Sequence, residues 1–229
     1  VALSKTLLGD FEQITIKPQQ ATAEKVTQGV HFVSKKNKIP LLVRLLQEQR
    51  NNSVLVFSRT KHGANKIVKK LGQASIEAAA IHGNKSQTAR QKALGNFKTG
   101  KLNVLVATDI AARGIDVDEL ALVINYDLPN VPETYVPRIG RTGRASASGM
   151  AISFCDAEER AYLKDIEKLI KQQVPRLPDH PFQEEHDVPT KEVIKNTAPK
   201  ERRRQNRNRN RRRNQSGGNG PKNKRNSRS

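Results

Sequence analysis

Residues 135–144 read Y-V-P-R-I-G-R-T-G-R, which sets Arg138, Arg141 and Arg144 three apart, with Gly140 and Gly143 between them. On a helical turn residues three apart share a face, and glycine lets a backbone come close to whatever that face touches. Guanidinium forks match phosphate oxygens bidentately and keep their charge at any working pH. The spacing therefore predicts a clamp for a polyanion such as a nucleotide triphosphate tail; the plain alternative is a solvated basic helix face.

Three other stretches share this polar character. Ser58, Arg59, Thr60 and Lys61 follow the run V-L-V-F; His82, Gly83, Gln87 and Arg90 follow Ile81; and Thr108, Asp109, Arg113, Gly114 and Asp116 follow Val106-Ala107. Hydroxyls, glycine amides and arginines on adjacent loops form a surface able to hold a sugar-phosphate backbone. Each has a simpler reading alone. Thr60 and Thr108 could be helix caps, and His82 reads as structural, since the five histidines show no metal-ligand spacing.

The elements that must position these loops alternate short β-branched runs with helical patterns up to residue 173, the signature of βαβ units and a mainly parallel sheet. Strands are expected at 13–16, 26–33, 53–58, 76–81, 103–107, 120–126 and 149–154. Helices are expected at 39–49, at 64–71 after a polar loop, from a Ser86 cap through Leu94 and Phe97 to Gly100, and from an Asp156 cap through Leu163, Ile166, Leu169 and Ile170. In an open parallel sheet such loops gather at the carboxyl ends of the strands. Pro175, Pro178, Pro181 and Pro189 then interrupt any periodicity, so the fold is expected to end near Val174.

With 229 residues and 35% hydrophobic content, the chain suffices for one ordinary domain with residues left over. The net charge is +20, and residues 200–229 alone hold 13 Lys or Arg against one Glu. Such a balance favours nucleic acid or an anionic surface as partner, and the Arg/Asn/Gly-rich tail is too polar to bury a core, which predicts disorder. No apolar run reaches the length of a membrane span and no signal peptide opens the chain, so a membrane role is not expected. The lone Cys155 cannot form an internal disulfide and fits a reducing, cytoplasmic setting.

Taken together, residues 54–61 (V-L-V-F-S-R-T-K), 81–90 (I-H-G-N-K-S-Q-T-A-R), 107–116 (A-T-D-I-A-A-R-G-I-D), 123–129 (V-I-N-Y-D-L-P) and 138–144 (R-I-G-R-T-G-R) resemble, in order and spacing, the second RecA-like domain of DEAD-box ATP-dependent RNA helicases. The wording of the second block and the basic tail are similar to the bacterial RhlE-like group. The resemblance implies an α/β, RecA-like three-layer fold over 26–174, a lead-in at 1–25 from a preceding RecA-like domain, a Pro-containing linker at 175–199 and an RNA-binding tail at 200–229. It implies that Arg141 and Arg144 act on the γ-phosphate of ATP, that Asp116 meets the ribose, that Arg113 and Gln87 couple the two halves, and that Arg138 supports their interface. Thr60, Gly83, Arg90 and Thr108, with Lys61 beside them, would meet RNA phosphates. The implied partners are RNA, the first RecA-like domain of the same protein, and ribosomal or RNA-decay ribonucleoproteins.

Two departures from the family pattern matter. The sequence has neither G-x-x-x-x-G-K-[ST] nor D-E-A-D, so ATP and its magnesium are expected to be held by the preceding domain, and this chain alone is expected not to hydrolyse ATP. Pro137 stands where the family usually has a histidine that bridges to the other domain. It also removes an amide, at a cost of up to about 3 kcal/mol inside a helix. Two other readings are a non-catalytic RNA-binding or annealing module that works through its tail, and the second half of a DNA helicase.

Overall fold

The computed structural model describes residues 26–49, 52–113, 115, 117, 120–143 and 149–183. Among them six strands form one sheet: β1 (Val26–Phe32), β2 (Val54–Phe57), β3 (Ala78–Ile81), β4 (Val104–Ala107), β5 (Leu122–Asn125) and β6 (Gly149–Cys155), in the spatial order β1-β6-β5-β2-β4-β3. All pairings are parallel. Parallel neighbours require crossovers, which helices supply. Strands β2, β4 and β5 are buried at every residue, which is why they read as unbroken apolar runs rather than alternating ones.

The helices are α1 (Lys38–Glu48), α2 (Lys61–Gln73), α3 (Gln87–Lys98), α4 (Asp109–Ala112), α5 (Tyr135–Ile139) and α6 (Arg160–Ile170), with a 3-10 turn at Pro132–Thr134 leading into α5. Leu41, Leu42 and Leu46 of α1 and Ala64, Ile67 and Leu71 of α2 pack on one face of the sheet. Phe97, Ala111, Tyr135, Ile139, Leu163 and Ile166, from α3 to α6, pack on the other. The result is the three-layer α/β arrangement expected from the sequence.

Three local readings change and one, the Ser86 cap, holds. Helix α2 starts at Lys61, inside the stretch read as a polar loop, because the Thr60 hydroxyl accepts from the Gly63 amide at 2.9 Å and caps it. Ser86 caps α3 as expected, accepting from Ala89 N at 3.2 Å. Asp156 caps the turn before α6, accepting from the amides of Glu158 and Glu159 at 2.9 and 3.2 Å, while Glu159 is the N-cap position of the helix itself. Pro137 is the third residue of α5, in its first turn, where a missing amide costs little. The penalty anticipated for a helix interior does not apply.

The chain also continues past Val174 along β1. Val30 N donates to Pro175 O and Leu177 N donates to Val30 O, both at 2.9 Å, and Asn37 Nδ2 donates to Phe182 O at 2.8 Å. Residues 175–183 thus cover the outer edge of β1, which would otherwise expose unpaired backbone groups. The expected strand at 13–16, the lead-in 1–25, residues 184–199 and the tail 200–229 lie outside the described residues.

Candidate nucleic-acid and nucleotide interface

Because β5, β2, β4 and β3 are neighbours in that order, the loops at their carboxyl ends stand in a row along one edge of the sheet. The row runs from Tyr126-Asp127, through Ser58–Lys61 and Thr108–Arg113, to His82–Ser86. Long-range parallel pairing thus turns dispersed sequence blocks into one surface.

Arg138 does not share a face with Arg141. It lies inside, its side chain 2% exposed, and forks onto Asp109 with Nε–Oδ1 at 2.6 Å and Nη2–Oδ2 at 2.8 Å. Its Nη1 donates to Asn125 Oδ1 at 3.2 Å and to the Asp127 carbonyl at 2.7 Å, and the guanidinium rests 5.0 Å from the Phe57 ring centroid. Asn125, within β5, is itself held by donating to Ser153 Oγ at 3.1 Å. With its donors turned to these internal acceptors, Arg138 positions the loops and does not itself present a surface charge.

Helix α5 ends at Ile139, so Arg141 falls beyond it, on the rim. It is half-buried, and its Nη1 donates to the Ile115 carbonyl at 3.2 Å. Thr142 hydrogen-bonds through Oγ1 to the Leu120 carbonyl, and Gly143 adopts φ 69°, a left-handed conformation that favours glycine. Arg141, Arg113, Pro137, Asp109 and Phe57 line a depression of about 30 Å³. Arg144 and Asp116 lie outside the described residues. A larger depression of about 430 Å³ opens at the opposite end of the sheet, between Gln49, Ser75, Glu77 and Lys101. Size favours that one, but the guanidiniums of Arg113 and Arg141 gather at the smaller.

The other sequence-predicted residues are brought together at the β2, β3 and β4 loops. Lys61 Nζ donates to Asn84 Oδ1 at 3.2 Å, tying the β2 and β3 loops to each other. Gln87 and Arg90, expected in different roles, face one another on the first turn of α3, with Arg90 Nη1 donating to Gln87 Oε1 at 3.3 Å. Thr108 is the N-cap position of α4, yet its hydroxyl makes no cap bond, unlike that of Thr60. Gly83 is exposed, has no left-handed φ, and has open space where a Cβ would stand. Nothing in the chain itself demands glycine there.

The sequence matches the family model described as helicase conserved C-terminal domain over residues 37–146. It is 43% identical over 166 residues to the ATP-dependent RNA helicase CshA of Listeria monocytogenes, an alignment covering 72% of this chain and 32% of that protein. The structure aligns with that of the Escherichia coli DEAD-box protein SrmB bound to regulator of ribonuclease activity A, at TM-score 0.68 and 31% identity, over 72% of this chain and 98% of that one. This chain belongs to the DEAD-box helicase family. It corresponds to the C-terminal RecA-like domain and spans about a third of the length of the curated relative. A Saccharomyces cerevisiae Dbp5 structure bound to RNA and ADP BeF3 also aligns, at TM-score 0.69 and 28% identity, over 77% of this chain and 48% of that one.

This DEAD-box domain contains one cluster that motif reading did not single out. Lys38, buried at the start of α1, lies 2.5 Å from Glu159, 3.1 Å from Asp156 and 4.0 Å from Asp127. Burial works against its charge, but Glu159, Asp156 and Asp127 outweigh that and hold the ammonium pKa above the ordinary lysine value. Asp127 then accepts through Oδ2 from Ser58 Oγ at 2.9 Å and from Arg59 N at 3.0 Å. A single residue therefore fixes the β2 loop through its side chain and Arg138 through its carbonyl. The available signal was the pair of acids, Asp156 and Glu159, following a buried strand; their lysine partner lies more than a hundred residues away.

Proposed function

We propose that this chain is the C-terminal half of an ATP-dependent RNA helicase, closing on a first RecA-like domain when ATP and RNA bind together. The observation that carries this reading is the small rim formed by Arg141 and Arg113. A pocket of about 30 Å³ falls far short of the several hundred Å³ of an ordinary small-molecule site, so these guanidiniums suit one end of a triphosphate held by another domain. ATP with magnesium, when bound there, supplies the phosphoryl group to be transferred to water.

In this reading Arg141, with Arg144, stabilises charge on the γ-phosphate, Arg138 and Asp109 keep the Arg141 segment in place, Arg113 and Gln87 couple the halves, and Asp116 meets the ribose. Thr60, Lys61, Gly83, Arg90 and Thr108 hold RNA phosphates, and the open space at Gly83 suits close approach of a backbone. Contacts to phosphate and sugar carry little sequence preference. Closure bends one strand across both halves and pries a short duplex apart.

The test joins this chain to a DEAD-box first domain and measures RNA-stimulated ATP turnover. Arg141→Ala is expected to lower turnover by on the order of 10³-fold or more while RNA binding is kept; unchanged turnover removes the arginine from this role. The charge excess of residues 200–229 favours a second reading, an annealing module acting through its tail. Deleting those residues distinguishes the two, since that reading loses all RNA affinity with the domain still folded.

A further inference from the structure

His82 is 2% exposed and uses both ring nitrogens. The Asn84 amide donates to its Nδ1 at 3.3 Å, so Nδ1 carries no proton. Its Nε2 stands 3.0 Å from Asn65 Oδ1, an acceptor, so Nε2 must carry one. Asn65 belongs to α2 and Asn84 to the β3–α3 loop, and the same Asn84 accepts from Lys61 Nζ at 3.2 Å. The imidazole thus stitches the loop holding Gly83 to the helix whose first residue is Lys61.

Resting on the RNA-interface reading above, we propose that His82 is a positioning residue: as the Nε2-protonated ring it clasps the β3–α3 loop to α2 and so presents Gly83 and Lys61 together to a phosphate backbone. The clasp works in one protonation state only. A proton added at Nδ1 would face the Asn84 N–H, donor against donor, and release the loop. The charged and titratable groups facing the ring, Lys85 on its own loop and Lys61 and His62 on α2, all oppose a positive imidazole, and together with burial, the larger effect, they lower its pKa. The clasp is therefore closed at neutral pH and opens on acidification.

The full chain can be tested by NMR with a ten-nucleotide uridine RNA as probe. Nitrogen shifts of the His82 ring are expected to report the Nε2–H tautomer at pH 7.5. His82→Asn places an amide oxygen near the Nδ1 position and is expected to keep slow exchange of the Asn84 amide. His82→Gln, which reaches Asn65 but leaves Asn84 without its acceptor, is expected to lose it. RNA affinity read at the Gly83 amide should fall about tenfold in His82→Gln and stay within about twofold in His82→Asn. The wild-type chain should come to resemble His82→Gln once acidification protonates the His82 ring, an event read from the same nitrogen shifts, while signals from the basic tail keep responding to RNA. An Nδ1–H tautomer, or equal affinity at Gly83 in all three proteins, would overturn the proposal. If the tautomer is as expected but RNA leaves the wild-type Gly83 amide unmoved, it is the RNA-interface reading that fails, and the presentation role with it.

Discussion

Removing the carboxylate from Asp109 tests whether the arginine stretch is organised from within. Arg138 keeps 2% of its side chain exposed and Asp109 27%. Removing one partner of a buried ion pair costs roughly 3–5 kcal/mol. Here water reaches the Asp109 side and Arg138 retains Asn125 Oδ1 and the Asp127 carbonyl as acceptors, so Asp109→Ala should cost about 2–3 kcal/mol. For a domain of this size that corresponds to a fall in Tm of about 5–10 °C. Asp109→Asn, which keeps one acceptor oxygen, should lose about half as much. Denaturant unfolding of Asp109→Ala, Arg138→Met and the double variant closes a cycle, with an expected coupling on the order of 1.5–3 kcal/mol. A Tm within about 1 °C of the parent, or a coupling below about 0.5 kcal/mol, would refute the reasoning.

Other outcomes follow from single contacts. Burial, with His180 beside it, lowers the His31 pKa to about 4; a depressed base contributes stability present above its unfolded pKa near 6.5 and lost as pH falls through 4. Denaturation midpoints between pH 7 and 4 should therefore fall more steeply for the wild type than for His31→Gln, and parallel slopes would contradict this. A Cβ at Gly149 would run into the Gly143 backbone and the Thr142 hydroxyl, so Gly149→Ala should lose about 1–3 kcal/mol or more by urea unfolding. Cys155 is 1% exposed and burial pushes its thiol pKa up, so maleimide labelling should be slow in the native chain and fast in urea. Pro137 is exposed on the rim beside Arg141; Pro137→His should raise RNA-stimulated turnover of the joined two-domain protein while leaving Tm within about 2 °C, and unchanged turnover would show that this position does not limit coupling.

Much of the architecture was legible in the chain because its signals are local. The runs V-L-V-F, V-L-V-A and L-V-I-N are near-continuously apolar and read as central strands of a parallel sheet, which they are, and leucines and isoleucines at helical spacing located α1 and α6. The family blocks marked where the polar loops would be. Helix α2 was read too short because Thr60 carried two meanings, cap and ligand, and spacing does not separate them.

What folding alone decided is which side chains face inward and which reach one another. Three arginines at equal steps predict one shared face, yet the helix stops at Ile139, and Arg138 turns to Asp109 inside while Arg141 stays on the rim. Lys38 and Glu159 stand 121 residues apart in sequence and 2.5 Å apart in space, and neither residue advertises the other. The extension of the fold to residue 183 likewise depends on the edge of β1, whose exposed backbone groups accept the segment that follows α6. Periodicity and motif record what each segment is; partnerships across a parallel sheet arise from crossovers that no local pattern encodes.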